Sequence, residues 1–267
     1  MLSTPHFGAL LRGWRAARRM SQMDLATAAD VSSRHFSCVE TGKAQPGRDV
    51  VIRIAETLEI PLRDRNALLM AAGYAPIYPE TALATSHLTE VRRAIDLLLA
   101  QQEPFPASVL DRHWNIVQSN KGFDRIVSHV LGGRPSRHAN MIRQIFDPED
   151  VRRTIVNWDE IAGAVIGNLQ HALAATPGDE VGHALVAEVL AYPGVPTRWR
   201  QLDFATPPSP LLTTVMRDGE GELSFFSTIT TFAMPRDVTL EELRIECCFP
   251  TDARTREVLE GLAQRAP

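Results

Sequence analysis

Cysteine is scarce: three residues in 267, at positions 38, 247 and 248. An odd count without metal-ligand spacing argues for a reduced compartment and against a disulfide framework. Long apolar runs are missing too. None approaches the roughly 18 residues that a membrane-spanning helix needs. The first residues lack the basic-then-apolar layout of a secretory leader, so a cytoplasmic chain with no membrane partner is expected. Catalytic signatures are absent as well. The eight histidines show no His-x-x-x-His or His-Glu-x-x-His pair, and there is no glycine-rich phosphate loop or Gly-x-Ser-x-Gly elbow. Cys247 and Cys248, adjacent on a strand-like run, would point to opposite faces and cannot easily act together. These absences argue against an enzyme, and no catalytic residue or metal ligand is expected.

What remains is ordinary globular composition, 44% apolar and 22% charged, in a length that suits one large domain or two smaller ones. The net charge of −4 hides a split. Residues 1–75 hold ten Lys/Arg against seven Asp/Glu, whereas the other 192 hold 18 against 25. A mildly basic head on an acidic body suits a nucleic-acid-binding module joined to something that does not bind nucleic acid.

Residues 5–74 read as five short helices. Leu10, Leu11 and Trp14 recur at helical spacing. Ser21-Gln22-Met23-Asp24 has the form of a capping box, and Ser32 can cap the next helix. Gly42 supplies a left-handed stop after Thr41. Within the run from Arg19 to Lys43, Leu25, Ala26 and Ala29 line the inner face of one helix, and Val31 plugs the turn. Phe36 and Val39 anchor the next helix, which leaves Ser33, Arg34, Ser37 and Cys38 together on its opposite face. That face is what a helix-turn-helix presents to base edges. Arg34 is the best base reader, because a guanidinium matches guanine O6 and N7 bidentately. Ser33 and Ser37 suit bases or phosphates, and Cys38 suits van der Waals contact. Lys43 and Arg48 are candidate phosphate contacts, with a solvated surface as the plainer reading of each. Ser32 completes the candidate DNA-binding set. Two half-sites read by a homodimer, with contacts from the second domain, are expected.

The motif SQ-x-x-LA…VS…E-x-G, carried on Leu11 to about Tyr74, resembles the lambda-repressor-like, xenobiotic-response-element family of regulators. The resemblance implies that Gln22 contacts a phosphate and braces the recognition helix, and that Glu40 pairs with Arg15. Asp30 stands where the family's turn usually has glycine; aspartate tolerates the left-handed conformation.

Beyond residue 76 the pattern changes. A helix over about 88–100 is expected as a linker within 76–103. A strand, a turn at Asp111-Arg112-His113 and a second strand from Trp114 follow, then a helix over 120–130. Amphipathic helices are expected over 150–175 and 182–191, and two late strands over 223–232 and 243–249. Asp218-Gly219-Glu220-Gly221 reads as a hairpin turn. The fold class is therefore α+β.

Leu62 to Pro76, with Pro106 to Asn120, Asn140-Met-Ile-Arg and Val156-Asn-Trp158, resembles the MmyB-like regulators, in which the repressor-like domain leads into a PAS-like ligand-binding domain. The resemblance implies a domain over 104–267 in which an antiparallel sheet and helices enclose a small apolar or amphipathic effector, a fatty acid being one candidate. No other cofactor is expected. Candidate walls are Phe105, Trp114, Ile116, Trp158, Ile161, Phe225 and Phe232, and candidate polar anchors are Asn120, Asn157 and Arg200. Ordinary core packing and local capping are the plainer readings of the same residues. The chain departs from the family at Pro207-Pro208-Ser209-Pro210, where a His-Pro is usual. A C-terminal domain that serves only dimerisation or protein contact stays open beside the sensor reading.

Overall fold

The structure is a computed structural model that describes residues 7–176, 178–200, 211–219 and 221–265. It divides into two compact units, one built on the five N-terminal helices and one on the sheet that follows Leu83.

In the first unit α1 (Phe7–Ala17), α2 (Gln22–Ala28), α3 (Ser33–Glu40), α4 (Arg48–Thr57) and α5 (Leu62–Ala71) surround one core. Leu11, Trp14, Leu25, Phe36, Val39, Ile54 and Leu68 are all buried there. Each such burial contributes roughly 1.5–3 kcal/mol. Short-range chemistry sets the helix ends. The Ser21 hydroxyl accepts from the Asp24 N–H while the Ser21 N–H donates to the Asp24 carboxylate, which is the expected capping box. Ser32 accepts from the His35 N–H and caps α3. Asp30 and Gly42 adopt the left-handed φ values of 52° and 76° that their turns require. Gly8 lets α1 lie on the end of α3, since a Cβ there would sit 2.1 Å from the Glu40 carbonyl oxygen.

The second unit begins with α6 (Thr89–Gln102), then β1 (Ala107–Leu110), β2 (Ile116–Ser119), α7 (Lys121–Val130) and α8 (Met141–Phe146). A 3-10 turn (Val151–Thr154) leads to α9 (Trp158–Ala175) and α10 (Glu180–Val189). The chain closes with β3 (Thr213–Asp218), β4 (Gly221–Thr230), α11 (Val238–Glu242), β5 (Arg244–Pro250) and α12 (Ala253–Arg265). Of these α11, up to Glu241, belongs to the first unit, as does the end of α9 from Ala172. The five strands are antiparallel in the order β2-β1-β5-β4-β3. On one face Ala107, Val109 and Ile245 pack against Ile95 and Leu99 of α6. On the other, Leu223 and Phe225 meet Ile126 of α7 and Leu259 of α12. This is the α+β antiparallel-sheet arrangement expected from the sequence, except that helices cover both faces where the PAS-like resemblance implies helices over one.

Several details differ from that expectation. The linker helix does not stand apart, because α6 buries Ile95 and Leu99 on the sheet. The long helix over 150–175 is broken. Ile155 bridges to Met216, and the Asn157 side chain bonds to β3 before α9 begins. The second strand starts at Ile116 rather than Trp114, which holds a left-handed φ of 66° in the turn. The strand β3 and the helix α12 have no counterpart in the expected elements. No helix among the described residues is long and apolar enough to cross a membrane. Residues 207–210, where the family pattern lapses, lie outside the described residues.

Candidate nucleic-acid interface and effector domain

The recognition helix α3 rests on a buried charge cluster. The Glu40 side chain is 0% exposed, and Arg15 donates to it from Nε (2.9 Å, to Oε2) and Nη2 (2.8 Å, to Oε1). Gln22 Nε2 donates to Oε1 at 2.9 Å and Arg12 Nε at 3.3 Å. A third Arg15 nitrogen, Nη1, donates to the Met20 carbonyl. Burial works against the Glu40 charge, but the bonds from Arg15, Gln22 and Arg12 outweigh it and hold the carboxyl below its usual value. Arg15 is correspondingly raised, chiefly by its bond to Glu40. A buried carboxylate needs such partners, so Arg15 and Glu40 are structural. Gln22 is a brace on α3 in this arrangement. Arg12 was not foreseen, and neither was Arg53, whose Nε donates to the Ala29 carbonyl and pins the end of α2.

With that face turned inward, Ser32, Ser33, Arg34 and Lys43 are exposed, and Ser37 and Cys38 are half-buried beside them. Phe36 and Val39 are fully inside, as the spacing predicts. Ser32 already accepts the His35 N–H, so its hydroxyl is a cap first. The Ser37 carbonyl accepts from the Thr41 hydroxyl. Arg34, Lys43 and Arg48 form no ion pair with a described carboxylate, which leaves three cations open to an anionic partner. Nucleic-acid phosphate is the anion a helix-turn-helix meets.

In the second unit the expected wall residues fall into separate groups. Phe105 and Phe225 join Ile126, Leu223 and Leu259 between the sheet, α7 and α12. Trp158 and Ile161 join Leu131, Val151 and Ile155. Val127, Val130 and Met216 border both groups. Trp158 also forms an aromatic cluster with Phe146 and Trp199, donates its indole N–H to the Ile145 carbonyl, and carries the Arg152 guanidinium 3.6 Å from its ring centre. Trp114 is apart from these, in the β1–β2 turn with Arg244 over its ring. Ile116 starts β2, an edge strand. Phe232 packs with Ile95 and Leu99 on the α6 side of the sheet, so it does not share a wall with Phe225.

The asparagines expected as anchors are engaged by the fold. Asn120 caps α7, its Oδ1 accepting from the Phe123 and Ala107 N–H groups while Nδ2 donates to the Leu99 and Phe105 carbonyls. Asn157 accepts from the Val215 N–H and donates to Thr213 O and Glu160. Four bonds on one amide leave Asn120 nothing for a ligand. Arg200 is exposed at the end of a 3-10 turn.

Comparison with known proteins agrees with both halves. Residues 6–68 match the model of a helix-turn-helix domain, and residues 91–262 match that of the MmyB-like transcription regulator ligand binding domain. No curated protein matches the chain. Among solved structures, one described as an RNA-binding light-oxygen-voltage receptor is 14% identical, with a TM-score of 0.23 over 97% of this chain and 63% of that one. The braced helix-turn-helix, the PAS-like sheet and a family model spanning 91–262 make this chain a member of the MmyB-like transcription regulators.

Proposed function

We propose that the chain binds specific operator sequences as a homodimer and that a small apolar or amphipathic effector in its second domain sets operator affinity. A fatty acid is the leading candidate. The observation that carries the reading is the braced recognition helix, with Arg34 and Lys43 exposed and unpaired, joined to a domain of the ligand-binding class. Arg34 reads a base edge; Ser33, Ser37 and Cys38 contact bases or backbone around it; Lys43 and Gln22 bind phosphate. The apolar groups around Val127, Val130 and Met216 are the effector wall, with Phe105, Trp158, Ile161 and Phe225 supplying bulk.

An effector changes DNA affinity only if it binds two arrangements of the protein with different strength, and the coupling then runs both ways. Native mass spectrometry of the purified protein should therefore reveal a co-purified small molecule, and operator affinity should change when that molecule is removed and restored. Unchanged affinity overturns the sensor reading and leaves a domain that serves dimerisation alone.

A further inference from the structure

Two clefts adjoin on the second unit, and arginine lines both. The first, of about 250 Å³, is bounded by Leu131, Arg134, Arg137, Arg153 and the acids Glu149 and Asp150. The second, of about 490 Å³, shares Arg134 and Arg153 and adds Arg217, Val130, Gly132 and Gly219. The arginines come from three places in the chain: the loop after α7, the 3-10 turn before α9, and the end of β3.

Two of the guanidiniums are held together. Arg134 Nε and Arg153 Nη2 both donate to the carbonyl oxygen of Leu131, each at 3.4 Å. Both guanidiniums are exposed, so solvent screens part of their mutual repulsion, and an anion between them relieves the rest. The nearby acids do not fill that place. Asp150 accepts from the Ser136 hydroxyl and from the Arg137 and Val151 N–H groups, so its carboxylate already serves the backbone. Arg217 stands opposite Glu222 in the strand register, without an ion pair between them. None of the four arginines forms an ion pair with a carboxylate among the described residues, although Arg137 acts on the Asp147 carboxyl through space. Such a cluster is out of keeping with the acidic composition of residues 76–267.

We infer that the shared cleft around Arg134 and Arg153 is a binding site for a small phosphorylated molecule. Guanidinium forks match phosphoryl oxygens bidentately, and a phosphomonoester carries about −1.5 to −2 charges at neutral pH, more than one carboxylate brings to four arginines. Arg134 and Arg153 grip the phosphoryl group, and Arg137 and Arg217 flank it on either side. The site is lined by arginine where the effector wall is apolar, and although the second cleft shares Val130 with that wall, the site does not depend on the effector assignment.

The test is calorimetric titration of the full-length chain with pyrophosphate and with succinate at fixed ionic strength, followed by the Arg134→Gln/Arg153→Gln double variant. The wild type binds pyrophosphate more tightly than succinate. The double variant loses about tenfold or more of that affinity, as expected when two charge-assisted contacts are removed. Its melting temperature falls by about a degree or two at most, because both side chains are exposed and the bonds to Leu131 that they lose are long, 3.4 Å each. Arg93→Ala, on an exposed pair in α6, binds as the wild type does. The proposal is overturned if the wild type ignores pyrophosphate, if succinate binds as tightly, or if the double variant is unaffected. It is also overturned if the wild type ignores pyrophosphate while the double variant binds DNA more weakly, which would make the cleft a DNA-backbone contact.

Discussion

Arg15 grips Glu40 with two nitrogens at 2.8 and 2.9 Å, joining α1 to the C-terminal end of the recognition helix. The carboxylate is fully buried and the guanidinium 17% exposed, so removing either partner strands a charge or an acceptor in a place water scarcely reaches. Arg15→Ala should cost about 3 kcal/mol. Arg15→Lys should recover little of it, because a single ammonium cannot reproduce the fork. Urea unfolding followed by helical circular dichroism checks both. A wild-type midpoint in Arg15→Ala would show the grip to be incidental.

The same cluster sets a pH dependence. The Glu40 carboxyl is held below its usual value by its bonds despite its burial. A depressed carboxyl contributes stability that is complete above its unfolded value, about 4.3, and is lost as pH falls through the lower folded value. Glu40→Gln lacks that titration. The stability gap between wild type and Glu40→Gln should be widest at neutral pH and narrow steadily below about pH 4. Chemical denaturation at a series of pH values measures the gap; one that widens on acidification would reverse the sign of the argument.

Arg34 and Lys43 separate specificity from affinity. Arg34→Ala should lose roughly 1–3 kcal/mol at one base pair per half-site and relax the preference there. Lys43→Ala should weaken all sequences about equally and reduce the salt slope by about one. Binding-site selection distinguishes the two. An Arg34→Ala profile identical to wild type would remove Arg34 from the base-reading surface.

The homodimer is tested separately. A lone recognition helix reads one half-site, so paired half-sites require two copies. Light scattering should give twice the 29.6 kDa chain mass, and a monomer both free and on operator DNA would remove the symmetric reading.

The first unit was legible because its signals are local. The Ser21–Asp24 box, the Ser32 cap and the left-handed Asp30 and Gly42 each act over a few residues, and each occurs as the spacing predicts. The second unit was less so. The strand β3 is half-buried along most of its length and shows no alternation of buried and exposed positions. In α12 the apolar positions Val258, Leu259 and Leu262 pack on one core but span little more than one turn of a 13-residue helix, among charged and small residues. The local cap at Asn120 was legible as the plainer reading of that residue, but the remaining bonds of the asparagines were not, since their partners lie up to 58 residues away. Sequence spacing shows that Asn120 can cap a helix, but it does not show where the other half of its amide goes.

That other half carries the last prediction. Asn120 is 6% exposed and joins three elements, accepting from β1 and α7 at 2.9 Å and donating to the carbonyls of Leu99 in α6 and Phe105 at 3.2 and 2.8 Å. Asn120→Ala leaves two N–H groups and two carbonyls without this partner, and each stranded buried group costs about 1–3 kcal/mol. A loss of about 3 kcal/mol or more is expected, even if water reaches some of them. Asn120→Asp keeps both accepted bonds and the helix cap, but it cannot donate, and it sets a carboxylate against two carbonyls. It should therefore be destabilised as well, which a role confined to capping would not produce. Gly122 reports on the same junction independently. A Cβ there would come within 2.6 Å of the Pro104 carbonyl oxygen and 2.7 Å of that of Phe105, so Gly122→Ala must push the start of α7 off the same backbone. Thermal unfolding of the three variants should rank all below wild type, and wild-type stability in Asn120→Asp would reduce the residue to an ordinary N-cap.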